Sequence, residues 1–151
     1  MRWIAIGLAI AGISVATANG QQLQLRRSPG WFTNDKGCRV WDPSAKSNEN
    51  FTWSGPCPNG TAAGEGVLQW FEDKKPTDRY EGHLENGRVS GHGVLEWADG
   101  RYDGQWSDFR PQGQGTYRNA KGEVFSGNWV LGCFHDGNRR AAIGVNPASC
   151  P

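Results

Sequence analysis

Residues 80–101 read YEGHLENGRVSGHGVLEWADGR, and residues 102–124 read YDGQWSDFRPQGQGTYRNAKGEV. Each stretch opens on an aromatic-x-Gly triplet and then carries Gly-x-Gly at the same offset from the aromatic residue. A related copy begins at Trp53, and a partial copy begins at Phe125. Self-similarity at a fixed spacing is typical of a repeat architecture. The sequence therefore predicts repeats at about 53–79, 80–101, 102–124 and, in part, 125–137.

Inside a copy, residues that suit a core alternate with polar residues, which is typical of a β-strand. In the second copy, Tyr80 and Gly82 are predicted to face one way, while Glu81 and His83 face the other. Turn signals separate the strands, and they are Asn59-Gly60, Asn86-Gly87, Asp99-Gly100 and Lys121-Gly122. Each copy is thus predicted to be a β-hairpin with an aromatic face, on which glycines leave room for rings.

With these features, the two quoted stretches resemble the MORN repeat (membrane occupation and recognition nexus). The segments around the first and last cysteines resemble small exported bacterial MORN-repeat proteins. The resemblance implies an all-β fold, a single-layer twisted antiparallel sheet of stacked β-hairpins with disulfide-stapled ends and an aromatic-lined groove. The sequence departs from the family pattern at Trp53, which replaces Tyr, at Cys57, which replaces the strand's Trp, and at Phe109, which stands where Gly is usual.

The N-terminal segment is predicted to be a signal peptide spanning residues 1–18. Arg2 provides the positive start, an apolar stretch follows, and Ala16-Thr17-Ala18 has the small-residue cleavage pattern. The apolar stretch is shorter than the ~20 residues of a membrane span, which disfavours an anchor. Residues 19–37 are predicted to be a polar tether and 38–151 the repeat domain, so we expect a secreted or periplasmic protein.

The chain has four cysteines, and in an exported chain of this size they favour two disulfides. Order along the chain favours Cys38 with Cys57 and Cys133 with Cys150, although four cysteines allow three pairings. A zinc or redox site is disfavoured because no Cys-x-x-Cys occurs.

Both ends of a hairpin array need cover, because an exposed strand edge invites aggregation. We expect Trp31 and Trp41 to cover the edge of the first hairpin. Residues 140–145 are expected to form the last edge strand within a C-terminal cap at 138–151.

The charge balance is close to neutral, with 16 Lys and Arg against 15 Asp and Glu. It argues against a nucleic-acid partner and gives only weak support to lipid contact. No catalytic motif is present, and Glu65, Glu81 and Asp103 are predicted to lie on the solvated face. His83 and His92 share that face but have no acid or cysteine at ligand spacing, so no metal, cofactor or enzymatic activity is expected.

The feature best suited to binding is the aromatic face. Its candidate groove residues are Tyr80, Trp97, Tyr102, Trp106, Phe125 and Trp129. At least half of these rings must be core, but a single-layer sheet cannot cover both of its faces. We therefore predict an exported, non-enzymatic protein-interaction module that binds an extended peptide, a protein or a second copy of itself as a homodimer. The alternative is a cell-envelope glycan or a lipid bound by the same face.

Overall fold

The alternation in the repeats is realised as strands in a computed structural model, which describes residues 30–44, 46 and 48–151. The strands are β1 (Gly30–Thr33), β2 (Arg39–Asp42), β3 (Glu49–Trp53), β4 (Gly64–Glu72), β5 (Lys75–Glu85), β6 (Arg88–Trp97), β7 (Gly100–Ser107), β8 (Arg110–Asn119), β9 (Val124–Val130), β10 (Cys133–Asp136) and β11 (Arg139–Ala142). The described residues also include two short 3-10 segments, Pro58–Gly60 and Pro147–Ser149. Among the described residues, no helix has the length and apolarity to cross a membrane. The predicted signal peptide lies outside the described residues.

Strands β3 to β11 form one antiparallel sheet in which every strand pairs with its neighbours in the sequence. The sheet is open, with β3 at one edge and β11 at the other. The predicted fold class is confirmed, and β11 gives the predicted last edge strand with slightly different bounds.

The hairpin turns explain how long strands return on themselves. Asn86 and Gly87, a predicted turn, both have positive φ, as a two-residue turn between twisted strands requires. Asp73 and Lys74 form another such turn, which the sequence analysis missed. The extra residues of the first copy therefore lengthen the β4–β5 hairpin.

Glycines on the aromatic face hold the rings against the backbone, as predicted. A Cβ atom on Gly93 would lie 2.3 Å from the Tyr80 hydroxyl oxygen, and one on Gly115 would lie 2.0 Å from the Tyr102 hydroxyl oxygen. Both distances are far shorter than a carbon atom tolerates. Each opening tyrosine therefore lies over the second glycine of its own Gly-x-Gly.

Indole groups connect one copy to the previous one. The Trp106 Nε1–H donates to the Gly93 carbonyl (3.0 Å), and the Trp129 Nε1–H donates to the Gly115 carbonyl (3.3 Å). Each indole ring thus fills the core while its N–H group has a hydrogen-bond acceptor, as a buried tryptophan requires.

Residues 30–37 do not form the predicted tether. Strand β1 pairs with β2, and this N-terminal hairpin lies on the aromatic face instead of extending the sheet. Val40 is fully buried there, and the Trp41 amide donates to the Gly87 carbonyl (2.8 Å). Phe32 meets Trp70 edge-on, with ring centroids 5.9 Å apart. The remainder of the predicted tether, residues 19–29, lies outside the described residues.

The two disulfides have the pairing that order along the chain favours. Cys38–Cys57 joins the N-terminal hairpin to the loop after β3, and Cys133–Cys150 joins the start of β10 to the C-terminal cap. Each bond fixes one end of the array. Such bonds are compatible with an extracellular location.

Candidate functional site

The aromatic face is largely core, and this corrects part of the predicted groove. Four of its six candidate residues are buried, namely Tyr80, Tyr102, Trp106 and Trp129. Tyr102 and Trp129 have no exposed surface and pack ring to ring at 5.3 Å. They cannot touch a partner in this conformation. The sequence analysis expected these rings both to pack in the core and to bind a partner. Their burial shows that most of them pack in the core.

One part of the face remains open as a cleft of about 350 Å³. Residues 42–44, after the N-terminal hairpin, bound it on one side, and residues 142–144, after β11, bound it on the other. Its aromatic lining consists of Trp70, Tyr80, Trp97, Trp106, Phe109 and Tyr117. We call this opening between the two segments the aromatic cleft.

Three rings follow one another from the aromatic cleft towards β9. Trp97 and Tyr117 are stacked with centroids 5.5 Å apart and planes 8° apart, and Tyr117 and Phe125 stack at 5.8 Å and 21°. All three are partly exposed. Trp97 and Phe125 were predicted groove residues, whereas Tyr117 was missed. Its signal was available, since it stands two residues after the last glycine of the third Gly-x-Gly.

Phe109 enters the aromatic cleft through an unusual turn. It forms the β7–β8 turn with Asp108, and both residues have positive φ, 47° for Asp108 and 63° for Phe109. A bulky residue is rare in this region because its Cβ meets the backbone. The departure noted in the sequence, Phe where Gly is usual, therefore adds a ring to the lining at a cost in backbone strain.

Charge around the aromatic cleft has one sign. Asp42, Asp78 and Asp99 line it, and none of the described residues in its lining is Lys, Arg or His. Burial raises the pKa of the Asp42 carboxyl, although the Ser44 amide (2.6 Å) donates to it and favours the charged form. Burial also raises the pKa of the Tyr117 phenol, and the nearby Asp99 carboxylate raises it further. The opening is therefore apolar at its base and acidic at its border.

Tyr80 and Tyr102, the first residues of the second and third copies, use their hydroxyl groups for hydrogen bonds within the fold. The Tyr80 hydroxyl donates to the His83 carbonyl (3.0 Å), and the Tyr102 hydroxyl donates to the Gln105 carbonyl (3.2 Å). Burial raises the pKa of Tyr80 and raises that of Tyr102 to about 12. Both groups are neutral at ordinary pH and remain donors.

The outward face consists of paired polar side chains. The His83 Nδ1 atom lies 3.3 Å from the Glu65 Oε1 atom, and the His92 Nε2 atom lies 3.1 Å from the Asp103 Oδ1 atom. The other oxygen of the Asp103 carboxylate, Oδ2, lies 3.1 Å from the Arg101 Nη2 atom. The two histidines therefore contact different carboxylates. Within the part of the chain that the structure describes, no three His, Cys, Asp or Glu side chains are placed to hold a metal ion.

Comparison with known proteins agrees with this architecture. The MORN repeat model matches residues 80–100 and 102–124, which are the second and third copies. Alsin from Homo sapiens and Alsin from Pan troglodytes are each 30% identical to the chain over 138 residues. That region covers 89% of this chain and 8% of each relative, so the chain spans a small part of their length.

The matched residues form the β5–β6 and β7–β8 hairpins, where the tyrosine-over-glycine packing is repeated. MORN repeats mediate interactions with proteins or membranes, and proteins that carry them are generally non-enzymatic. The chain thus carries two MORN repeats, at residues 80–100 and 102–124, in the centre of its sheet.

Proposed function

We propose that this chain is an exported, non-enzymatic interaction module whose aromatic cleft binds an extended segment of a protein partner. The observation that carries the proposal is the opening between residues 42–44 and 142–144, where the stacked rings of Trp97 and Tyr117 are partly exposed. An accessible apolar surface next to polar groups is typical of an interaction site.

The size and charge of the aromatic cleft favour a peptide over a lipid headgroup. A volume of about 350 Å³ accommodates a few side chains, at the lower end of the range for ligand sites. Asp42 and Asp99 would repel an anionic headgroup, and no basic residue of the described part of the chain lines the aromatic cleft. A peptide that crosses the opening can place one side chain on the Trp97 and Tyr117 rings.

The test uses the oxidised chain and a displayed library of random peptides. Trp97→Ala combined with Tyr117→Ala should abolish recovery of most binders, because both rings are partly exposed and line the opening. The control is Val130→Ala with Leu131→Ala, which removes side chains that are 51% and 59% exposed outside the cleft lining. Both double variants must keep a cooperative thermal transition. Binders that do not distinguish the two variants would contradict the proposal.

A glycan is the second candidate, and the flat, stacked pair Trp97 and Tyr117 favours it. Sugar faces stack on such rings. Tryptophan fluorescence of the oxidised chain should then change on addition of envelope polysaccharide, and Trp97→Ala should remove the change. If the peptide library yields cleft-dependent binders and the polysaccharides cause no spectral change, the glycan candidate is eliminated.

A further inference from the structure

We infer that the side chain received by the aromatic cleft is an arginine of the bound peptide. The inference rests on the proposed function and specifies its partner. It combines three observations: the sign of the charge at the opening, the accessible stacked rings, and the way the chain places its own arginines on rings.

The charge at the opening is not a general property of the chain. The complete sequence has a formal net charge of +1, yet the charged residues that line the aromatic cleft within the described ranges are all aspartates. Asp42 and Asp99 come from separate parts of the chain, β2 and the β6–β7 turn. Their convergence on one apolar opening is complementary to a cationic group.

The rings provide a second attraction for a cation. Trp97 and Tyr117 are nearly parallel and partly exposed, and the Tyr117 hydroxyl lies 3.4 Å from the Asp99 carbonyl oxygen, so Asp99 is beside these rings. A cation above an aromatic face is attracted by the ring quadrupole. A guanidinium stacked there would have a carboxylate beside it to accept its N–H groups.

The chain itself shows which cation suits its rings. Three arginines of the described segments lie over aromatic rings, and the distances from the guanidinium carbon to the ring centroid are 4.6–5.0 Å. They are Arg39 over Trp31 (5.0 Å), Arg88 over Trp41 (4.6 Å) and Arg139 over Phe125 (4.9 Å). Phe125 is the outer ring of the stacked row, so Arg139 occupies one end of it. Arg139 also donates to the Val124 carbonyl. The same row is accessible at Trp97, where no guanidinium of the described residues is stacked.

Arginine fits this geometry better than lysine does. A guanidinium is planar, stacks on flat rings and presents N–H groups at its border, whereas an ammonium is a compact and strongly hydrated charge. Three cations lie over rings in the described residues, and all three are arginines. A partner's arginine would repeat a contact that the fold already uses.

The experiment selects peptides from the displayed random library on the oxidised chain and counts residue types in the binders. Arginine should be enriched several-fold, and more than lysine. Asp42→Asn with Asp99→Asn should weaken an arginine-containing binder about five- to tenfold, as expected for two partly exposed charges, and leave its arginine-to-norleucine variant unaffected. The matched control, Glu65→Gln with Glu81→Gln, removes two charges from the outward face and should have no effect.

The outcomes separate this inference from the proposed function. If binders depend on Trp97 and Tyr117 but are enriched in neither cation, or equally in both, the proposed function stands and the arginine inference is overturned. If no binder depends on those rings, the proposed function itself fails. An equal loss of affinity in the Asp42/Asp99 and Glu65/Glu81 double variants would also overturn the inference.

Discussion

At the scale of single residues, the fold depends on close approach of rings to glycine. Tyr80 over Gly93 and Tyr102 over Gly115 leave no space for a methyl group. Because the rings are buried and their hydroxyls are hydrogen-bonded, they cannot move aside at low cost. The periodic glycines are therefore required by packing.

Gly115→Ala should lower the free energy of unfolding by about 2–3 kcal/mol, because the new Cβ overlaps the Tyr102 hydroxyl. The control is Gly122→Ala, where nothing lies within 4 Å of the new Cβ and only the positive φ of 82° is unfavourable. It should cost about 1 kcal/mol. Chemical denaturation measures both, and equal losses would contradict the packing argument.

The buried tyrosines should lower the folding stability of the protein at alkaline pH. Burial raises the pKa of Tyr102 to about 12, whereas the unfolded phenol titrates near 10. The contribution of the protonated Tyr102 phenol to the free energy of unfolding is therefore fully present below about pH 10. It is lost as the pH rises towards about 12, because the unfolded chain loses this proton first. Tyr102→Phe should be less stable near neutral pH, since the hydrogen bond to Gln105 is lost. Its stability should nevertheless decline less between about pH 9 and about pH 11.

Denaturation curves at those two pH values test this expectation. Absorbance of phenolate in the native chain should show that titration of its three tyrosines is delayed, because the pKa of each is raised. A native titration centred at the ordinary tyrosine value would contradict the expectation.

At the scale of elements, the strands were predictable because their signals are local. Alternation and the Asn86-Gly87 turn signal define the β5–β6 hairpin without reference to distant residues. Strands β1 and β2 were not predicted, since each has four residues and their position on the aromatic face depends on contacts with Trp70 and Gly87. Tertiary packing decided their structure.

The Cys133–Cys150 disulfide should hold β11 at the edge of the sheet. Its sequence separation is 17 residues, so replacing both cysteines by Ala should cost about 3 kcal/mol. Amide exchange in β11 should accelerate more than exchange in β7. Replacing Cys38 and Cys57 by Ala is the control, because that disulfide lies at the other end of the array. Unchanged β11 exchange after loss of Cys133 and Cys150 would argue against this role.

At the scale of the molecule, the location of the aromatic cleft could not be predicted. It depends on residues 42–44 and 142–144, which are distant in sequence and approach the same rings. The sequence identified the aromatic face and two of its partly exposed rings, Trp97 and Phe125. It could not identify which rings residues 42–44 and 142–144 approach, because those segments carry no repeat signal.

Detaching the N-terminal hairpin should expose the aromatic face. Val40 is fully buried, so Val40→Asp places a carboxylate in an apolar contact and favours separation of the hairpin from the sheet. Fluorescence of the dye anilinonaphthalene sulfonate should increase while the circular dichroism of the sheet persists. Lys36→Asp, at an exposed position, should leave the fluorescence unchanged. Equal fluorescence of the two variants would contradict this docking.

The order of strands also determines how the molecule would respond to tension. Because β3 and β11 lie at opposite edges, a pull between them acts across the strands and opens the hydrogen-bonded ladders one after another, as a zipper does. The loops closed by Cys38–Cys57 and Cys133–Cys150 cannot lengthen while their bonds persist. All extension would come from the hairpins between Cys57 and Cys133. The sheet would therefore lengthen in steps, one hairpin at a time, while the two disulfide-closed loops keep their length.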